Sequence, residues 1–205
     1  MKLTRKTQRT QKDAPAPVKK LIQARMMSLT MEELRILFTD ETLSSRQRLM
    51  FKVGFWHGLR VSELVDEAHG LKKEDIADGF VRVRRLKGSL PTIQPYQTHS
   101  DPVLDEASDL RELHRSLSTG ERCFPMDRSW ARKLMQRVSE RHGIPAHKMH
   151  PHALKHTIAM LTIKKAGIEH VRIHLGHKSI ASTGEYLKVT EEQASKAISS
   201  AMLSC

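Results

Sequence analysis

Apolar positions in this chain recur mainly at helical spacing, and the recurrence begins at Leu29. Thr30 and Glu33 form a capping-box pair, in which the hydroxyl accepts from the third amide and the carboxylate reaches back, with Met31, Leu34 and Leu37 following on one side. That predicts a helix ending near Phe38. Ser44 or Ser45 caps a second helix whose apolar residues, Leu49, Met50, Val53, Phe55 and Trp56, nearly encircle it, as expected of a central buried element closed by Gly58. Residues 62–68 read as a short helix, and 101–117 and 127–142 as amphipathic helices with Asp at their starts. Residues 151–165 form another, with Pro151 early, where its missing amide costs nothing, and Gly167 just beyond the end. A short helix over 169–175 stops at Gly176. A last one, from Thr190 with Gln193 as its capping partner, places Ala194, Ala197, Ile198, Ala201 and Met202 on one face.

The helical period breaks over 80–86, where Val81 and Val83 alternate with Arg82 and Arg84. Lys87-Gly88-Ser89 then turns the chain, and residues 92–96 return as an edge strand, since Pro91 and Pro95 cannot donate to a ladder. The fold class expected is therefore mainly α with a small antiparallel β-sheet. Composition agrees. The 205 residues are 39% hydrophobic, enough for one core, but only 4% aromatic with 10 Met, so the core must be mostly aliphatic.

Charge adds a partner to this picture. There are 35 Lys and Arg against 23 Asp and Glu, a net +12. Residues 1–27 hold Lys2, Arg5, Lys6, Arg9, Lys12, Lys19, Lys20 and Arg25 against a single acid, Asp13, with too little apolar surface to offset the entropy of ordering. They read as a flexible basic arm, and residues 28–205 as the globular domain. Excess positive charge of this kind points to phosphate backbones and to a salt-dependent grip on duplex DNA. Cys123 and Cys205 support neither a disulfide framework nor a Cys-type zinc site. No stretch has the apolar length of a membrane span or the pattern of a signal peptide, so the expected location is cytoplasmic and associated with nucleoid DNA.

Four segments then arrive in a recognisable order: Gly58-Leu59-Arg60-Val61-Ser62-Glu63-Leu64; Lys87-Gly88 in the hairpin; His150-Pro151-His152-Ala153-Leu154-Lys155-His156-Thr157; and Leu175-Gly176-His177 followed by Thr183 and Tyr186. Together they resemble the tyrosine recombinases, or phage-type integrases, across residues 29–202. The resemblance implies a helical catalytic domain with a small sheet, which breaks DNA by attack of a tyrosine on a phosphodiester. A 3′-phosphotyrosine and a free 5′-hydroxyl result, with no cofactor and no metal. Carried onto this chain, it implies Arg60 as the first arginine, Lys87 as general acid, His152 and His177 at the scissile phosphate and Tyr186 as nucleophile. Lys155 is a departure, standing where the family usually has arginine. It keeps the charge but loses the two-pronged contact, so either slow chemistry or adaptation of the neighbouring groups is expected.

The residue types suit these roles. A guanidinium grips two phosphate oxygens at once, and an imidazole exchanges protons near neutrality. His152 and Lys155, three apart on a helix, can reach one phosphate. Arg172 or Lys148 could add a second charge, and Glu63 reads as an orienting or capping group. Seven of the twelve histidines lie between His147 and His177, and His152/His156 and His170/His174 have legitimate metal-ligand spacing. No HExxH arrangement accompanies them, and the remaining histidines read as facing solvent or DNA.

The expectation is a site-specific recombinase resembling the short, catalytic-domain-only members of that family, working as a dimer or tetramer on duplex DNA, with no small-molecule substrate and no membrane. Its carboxy-terminal apolar face packs either on its own domain or on a neighbouring protomer. Rival readings are a recombinase-derived DNA-binding module that cuts slowly or never, a relaxer similar to type IB topoisomerases, and a metal-dependent nuclease.

Overall fold

The computed structural model describes residues 27–184 and residue 186. The expected arm, up to residue 26, and the expected last helix lie outside them. In order, the chain forms α1 (Met31–Thr39), α2 (Ser45–Trp56), α3 (Val61–Val65), a 3-10 turn (Lys73–Ile76), β1 (Phe80–Val83), β2 (Thr92–Pro95), α4 (Ala107–Ser116), α5 (Arg128–His142), α6 (Pro151–Ala166), α7 (Ile168–His174) and α8 (Ala181–Gly184). It is a mostly helical fold with a small two-stranded antiparallel sheet.

Helix starts follow their caps. Thr30 Oγ1 accepts from the Glu33 amide at 3.1 Å while the Glu33 carboxylate takes the Thr30 amide at 2.7 Å, and Ser44 and Gln47 repeat the exchange at α2. Gly143 ends α5 at φ 64°. Helix α2 is the central element, with Leu49, Met50, Phe51, Lys52, Val53, Gly54 and Phe55 all buried. It packs against α1 and α6, where Leu34, Leu37, Leu154 and Ile158 complete a core that also takes in Met135 and Val138 of α5. Each such large apolar side chain contributes roughly 1.5–3 kcal/mol by leaving water. Ahead of α1, the Leu29 amide donates to Thr157 Oγ1 on α6 at 2.8 Å.

Two helices are shorter than their patterns predict, and aspartates explain both. Instead of 62–68 the helix is Val61–Val65, because Asp66 Oδ1 accepts the amides of Ala68 and His69 at 3.1 and 3.2 Å and so turns the chain out of the helix. Instead of 101–117 it is Ala107–Ser116: Asp101 Oδ1 takes the Val103 amide at 3.0 Å and Asp105 Oδ1 the Ala107 amide at 3.1 Å, giving two local turns before the helix begins. The 3-10 turn and α8 went unread in the pattern.

The strand pair is in the register Phe80↔Pro95, Val81↔Gln94, Arg82↔Ile93 and Val83↔Thr92. Pairing stops at Val83 rather than residue 86, since beyond it the amide of Leu86 turns to the Glu63 carboxylate at 2.9 Å. Lys87 at φ 54° and Gly88 at φ 72° make the turn, closed by Ser89 N to Leu86 O at 3.3 Å. Two successive positive φ values are the mark of the hairpin turns that match strand twist.

Candidate phosphate-binding site

The site is built where the segment after α2, the β1–β2 connection, α6 and the end of α7 meet. Gly58 makes the first approach possible. Its φ is 56°, and a Cβ there would lie 2.4 Å from Leu175 Cδ2, so only glycine lets the loop carrying Arg60 lie against the loop carrying His177. Gly176 is the matching position on the other side: at φ 68°, a Cβ would meet Leu90 O at 2.5 Å.

Arg60 is partly exposed, and its guanidinium is already oriented. Nη1 donates to Glu63 Oε1 at 2.8 Å and Leu86 O at 3.0 Å, and Nη2 to Ser89 Oγ at 3.1 Å. Glu63, 2% exposed, also accepts the amides of Arg60 and Leu86, both at 2.9 Å. Burial alone would raise its carboxyl. The two amides, the Arg85 charge and the bond from Arg60 outweigh burial and hold it below the ordinary value. Glu63 is therefore an orienting group, as its sequence position suggests. Through Leu86 it and Arg60 also fix the base of the turn that presents the exposed Lys87.

Sequence reasoning missed Arg85 as a member of this cluster. Its guanidinium is fully buried, with Nε donating to Thr92 Oγ1 at 3.1 Å, Nη1 to Gly58 O at 2.9 Å and Glu63 Oε2 at 3.4 Å, and Nη2 to His57 O at 2.8 Å and His174 O at 2.9 Å. Burial pushes it down to about 10 against the opposing pull of Glu63. A signal was present: continuing the alternation of Val81 and Val83 puts residue 85 on the inward face.

Lys155, 2% exposed, rises from α6 and donates to Leu175 O at 3.1 Å. Burial, then the charges of Arg85 and Arg60, push its ammonium down to about 7, with only Glu63 pulling the other way. His177 sits just past α7, its Nδ1 2.9 Å from Thr183 Oγ1 on α8. Desolvation, followed by the charges of Lys155, Arg60, Arg85 and Arg172, pushes it down to about 4. His152 is exposed to solvent at one edge, yet desolvation of its other side together with His156, His150, Lys155 and Arg60 pushes it to about 4 as well. Hydrogen bonds tie the separate segments together: Glu63 accepts from Arg60 and Arg85, Arg85 donates to His174 O, and Lys155 donates to Leu175 O. At neutral pH the cluster holds two neutral imidazoles among crowded cations, an arrangement suited to receiving an anion.

Tyr186 is 8% exposed, and its hydroxyl lies 2.9 Å from His156 Nδ1. The His156 ring packs edge-on to Tyr186 at 5.5 Å between centroids and to His152 at 4.4 Å. His156 is thus engaged with the phenol rather than facing solvent, a partner that the four-residue spacing from His152 had suggested only as a metal ligand. His174 is likewise committed, its Nε2 2.8 Å from Trp56 O. The other tyrosine, Tyr96, donates to Ile76 O at 2.6 Å, and burial raises its phenol to about 12, a structural role. Of the two cations considered as additions, Lys148 pairs with Glu33 at 3.0 Å, and Arg172 binds Glu169 and donates to His177 O at 2.8 Å. Among the described residues no three His, Cys, Asp or Glu side chains converge in a metal-binding arrangement, and no helix is long and apolar enough to cross a membrane.

Comparison with known proteins places this geometry. Residues 27–193 match the model of the phage integrase family. The tyrosine recombinase XerC of Listeria welshimeri is 30% identical over 176 residues, 78% of this chain and 57% of the relative. The tyrosine recombinase XerA of Thermococcus onnurineus is 30% identical over 184 residues, 86% of this chain and 63% of its own length. The chain therefore spans about three-fifths of these relatives. In fold it is similar to the crystal structure of XerA recombinase, with a TM-score of 0.61 at 20% identity, covering 96% of this chain and 66% of that one. A lambda integrase dimer bound to a COC′ core site gives 0.60 at 22% identity, covering 80% and 51%. With the family model matching most of its length, this chain belongs to the phage integrase family.

Proposed function

We propose that the chain is the catalytic part of a site-specific DNA recombinase that cleaves and rejoins duplex DNA through a phosphotyrosine. The observation that carries this reading is the Tyr186 hydroxyl on His156 Nδ1 at 2.9 Å, one turn along α6 from His152 and beside the cations of Arg60 and Lys155. With Nδ1 unprotonated, the phenol donates to it. As Tyr186 Oη bonds to phosphorus its proton passes to the imidazole, and the 5′ oxygen leaves with a proton from the Lys87 ammonium. Arg60, Lys155, His152 and His177 take the nonbridging oxygens, whose negative charge grows as the fifth bond forms. The energy of the broken ester stays in the phosphotyrosine, so rejoining runs the same steps backwards. A homo-oligomer on duplex DNA is part of this reading, supported by the fold's likeness to a lambda integrase dimer bound to a core site and to XerH bound to its difH substrate.

A second reading, a DNA-binding module that does not cut, is favoured by Lys155 standing where the relatives' pattern has arginine. Nicked duplexes with a randomised core separate the two. The recombinase gives an adduct resistant to detergent, with Tyr186 identified as the modified residue by mass spectrometry and Tyr186→Phe abolishing it. Binding of the same duplexes without any adduct establishes the module instead.

A further inference from the structure

We infer that Arg85 is a positioning residue of the phosphate site, locking the loop that carries Arg60 to the loop that carries His177 from beneath, without touching the phosphate itself. The inference rests on the recombinase reading for its kinetic consequence and on geometry for the rest.

A guanidinium has five N–H donors. Those of Arg85 have five acceptors: Thr92 Oγ1, Gly58 O, Glu63 Oε2, His57 O and His174 O. With every donor committed and the side chain shut off from solvent, it has nothing left to offer a ligand. What it does is join. His57 and Gly58 precede Arg60; Glu63 orients Arg60; Thr92 begins β2; and His174 ends the helix before His177. The stem of Arg85 also fits the space at Gly176, where a Cβ would stand 3.1 Å from Arg85 Cγ.

The loop from residue 174 to 177 shows how complete the lock is. The His174 carbonyl receives Arg85 Nη2 and Gln94 Nε2, the Leu175 carbonyl receives Lys155 Nζ, the Gly176 carbonyl receives the Leu90 amide at 2.8 Å, and the His177 carbonyl receives Arg172 Nη1. Four successive carbonyls are held from four directions, and Arg85 ties the first of them directly to the His57 and Gly58 carbonyls ahead of Arg60. Its charge also bears on Lys155, along with those of Arg60 and Glu63, and the Lys155 charge in turn holds down His174 and His177 on the α7 side. The Arg85 cation beside Lys155 favours the neutral amine there.

Two variants test this. Arg85→Lys keeps the charge with three donors at most, and Arg85→Met removes both. At saturating nicked duplex, each should slow adduct formation, Arg85→Met by about a hundredfold, the scale expected for misplacing reacting groups by an ångström, while the Kd for duplex changes less than about threefold, as for a group that does not touch the ligand. Arg85→Met should also move the alkaline limb of the rate profile to higher pH, because Lys155 loses a repelling neighbour, whereas Arg85→Lys leaves the limb in place. Exchange of the Leu90 amide should quicken in both. That readout needs no DNA cleavage, so it stands even if the wild-type chain forms no adduct and the recombinase reading fails. A folded Arg85→Lys with wild-type exchange at Leu90 and a wild-type rate at saturation overturns the inference, as does a weakened Kd with unchanged saturated rate.

Discussion

The two sides of the site are assembled on opposite terms. On the Arg60 side, charged groups are buried and saturated: Glu63 serves two guanidiniums and two backbone amides, and Arg85 spends five donors on five acceptors. On the Tyr186 side, aromatic rings meet edge to face, with a 2.9 Å bond between the phenol and His156. A group that must hold a phosphate in one place gains from many fixed bonds, because a preorganised donor reorients nothing at the moment of reaction. A group that must give up or take a proton needs a partner whose protonation can change. On the recombinase reading proposed above, the contrast assigns position to one side and proton movement to the other.

Paired variants break the comparison most sharply. Glu63→Ala removes one partner from two guanidiniums and should cost about 3–5 kcal/mol of stability in urea unfolding, as for other broken buried ion pairs. His156→Ala loses the hydrogen bond to Tyr186 and two edge-on ring contacts, together worth about 2 kcal/mol, yet should slow adduct formation at least a hundredfold. Equal stability losses in the two variants, or a His156→Ala rate like wild type, would erase the distinction.

Lys155→Arg sharpens it. Restoring the guanidinium that the family pattern leads one to expect should not speed cleavage here, because the site is 2% exposed and crowded by Arg85. Overfilling it should cost about 1–3 kcal/mol. A faster Lys155→Arg enzyme would show that the fork, rather than Arg85 and its neighbours, limits the reaction.

A further expected effect is on the pH dependence of stability. His152, His174 and His177 lie near 4 when folded, against an ordinary 6.5. Between those values the unfolded chain binds protons that the folded one refuses, so stability falls as pH falls from about 6.5 toward 4. Lys155, near 7 when folded against 10.5, continues the same sign above neutrality. Thermal midpoints should therefore climb with pH across both windows, and a flat curve between pH 4 and 6.5 would contradict the crowding of cations around these rings.

Local signals carried much of the architecture. Thr30 with Glu33, Ser44 with Gln47, Pro151 and the glycines at 143, 167 and 176 start or stop helices through groups within a few residues of each other, and such groups can be read along a chain. The same locality misled at Asp66 and Asp101, whose side chains compete with the helix for backbone amides in a way that residue type alone leaves open.

The sequence by itself determined the helix-rich class, the hairpin centred on Lys87-Gly88 and the identity of the residues likened to a recombinase site, because caps, turn residues and short motifs act over a few positions. The tertiary structure alone decided that residue 85 is a saturated buried cation, that His156 rather than solvent meets Tyr186, and that Lys155 is buried on the Leu175 carbonyl. Those facts depend on which carbonyls and charges arrive from residues 20 to 120 positions away, and no local pattern encodes the neighbours that chain folding brings.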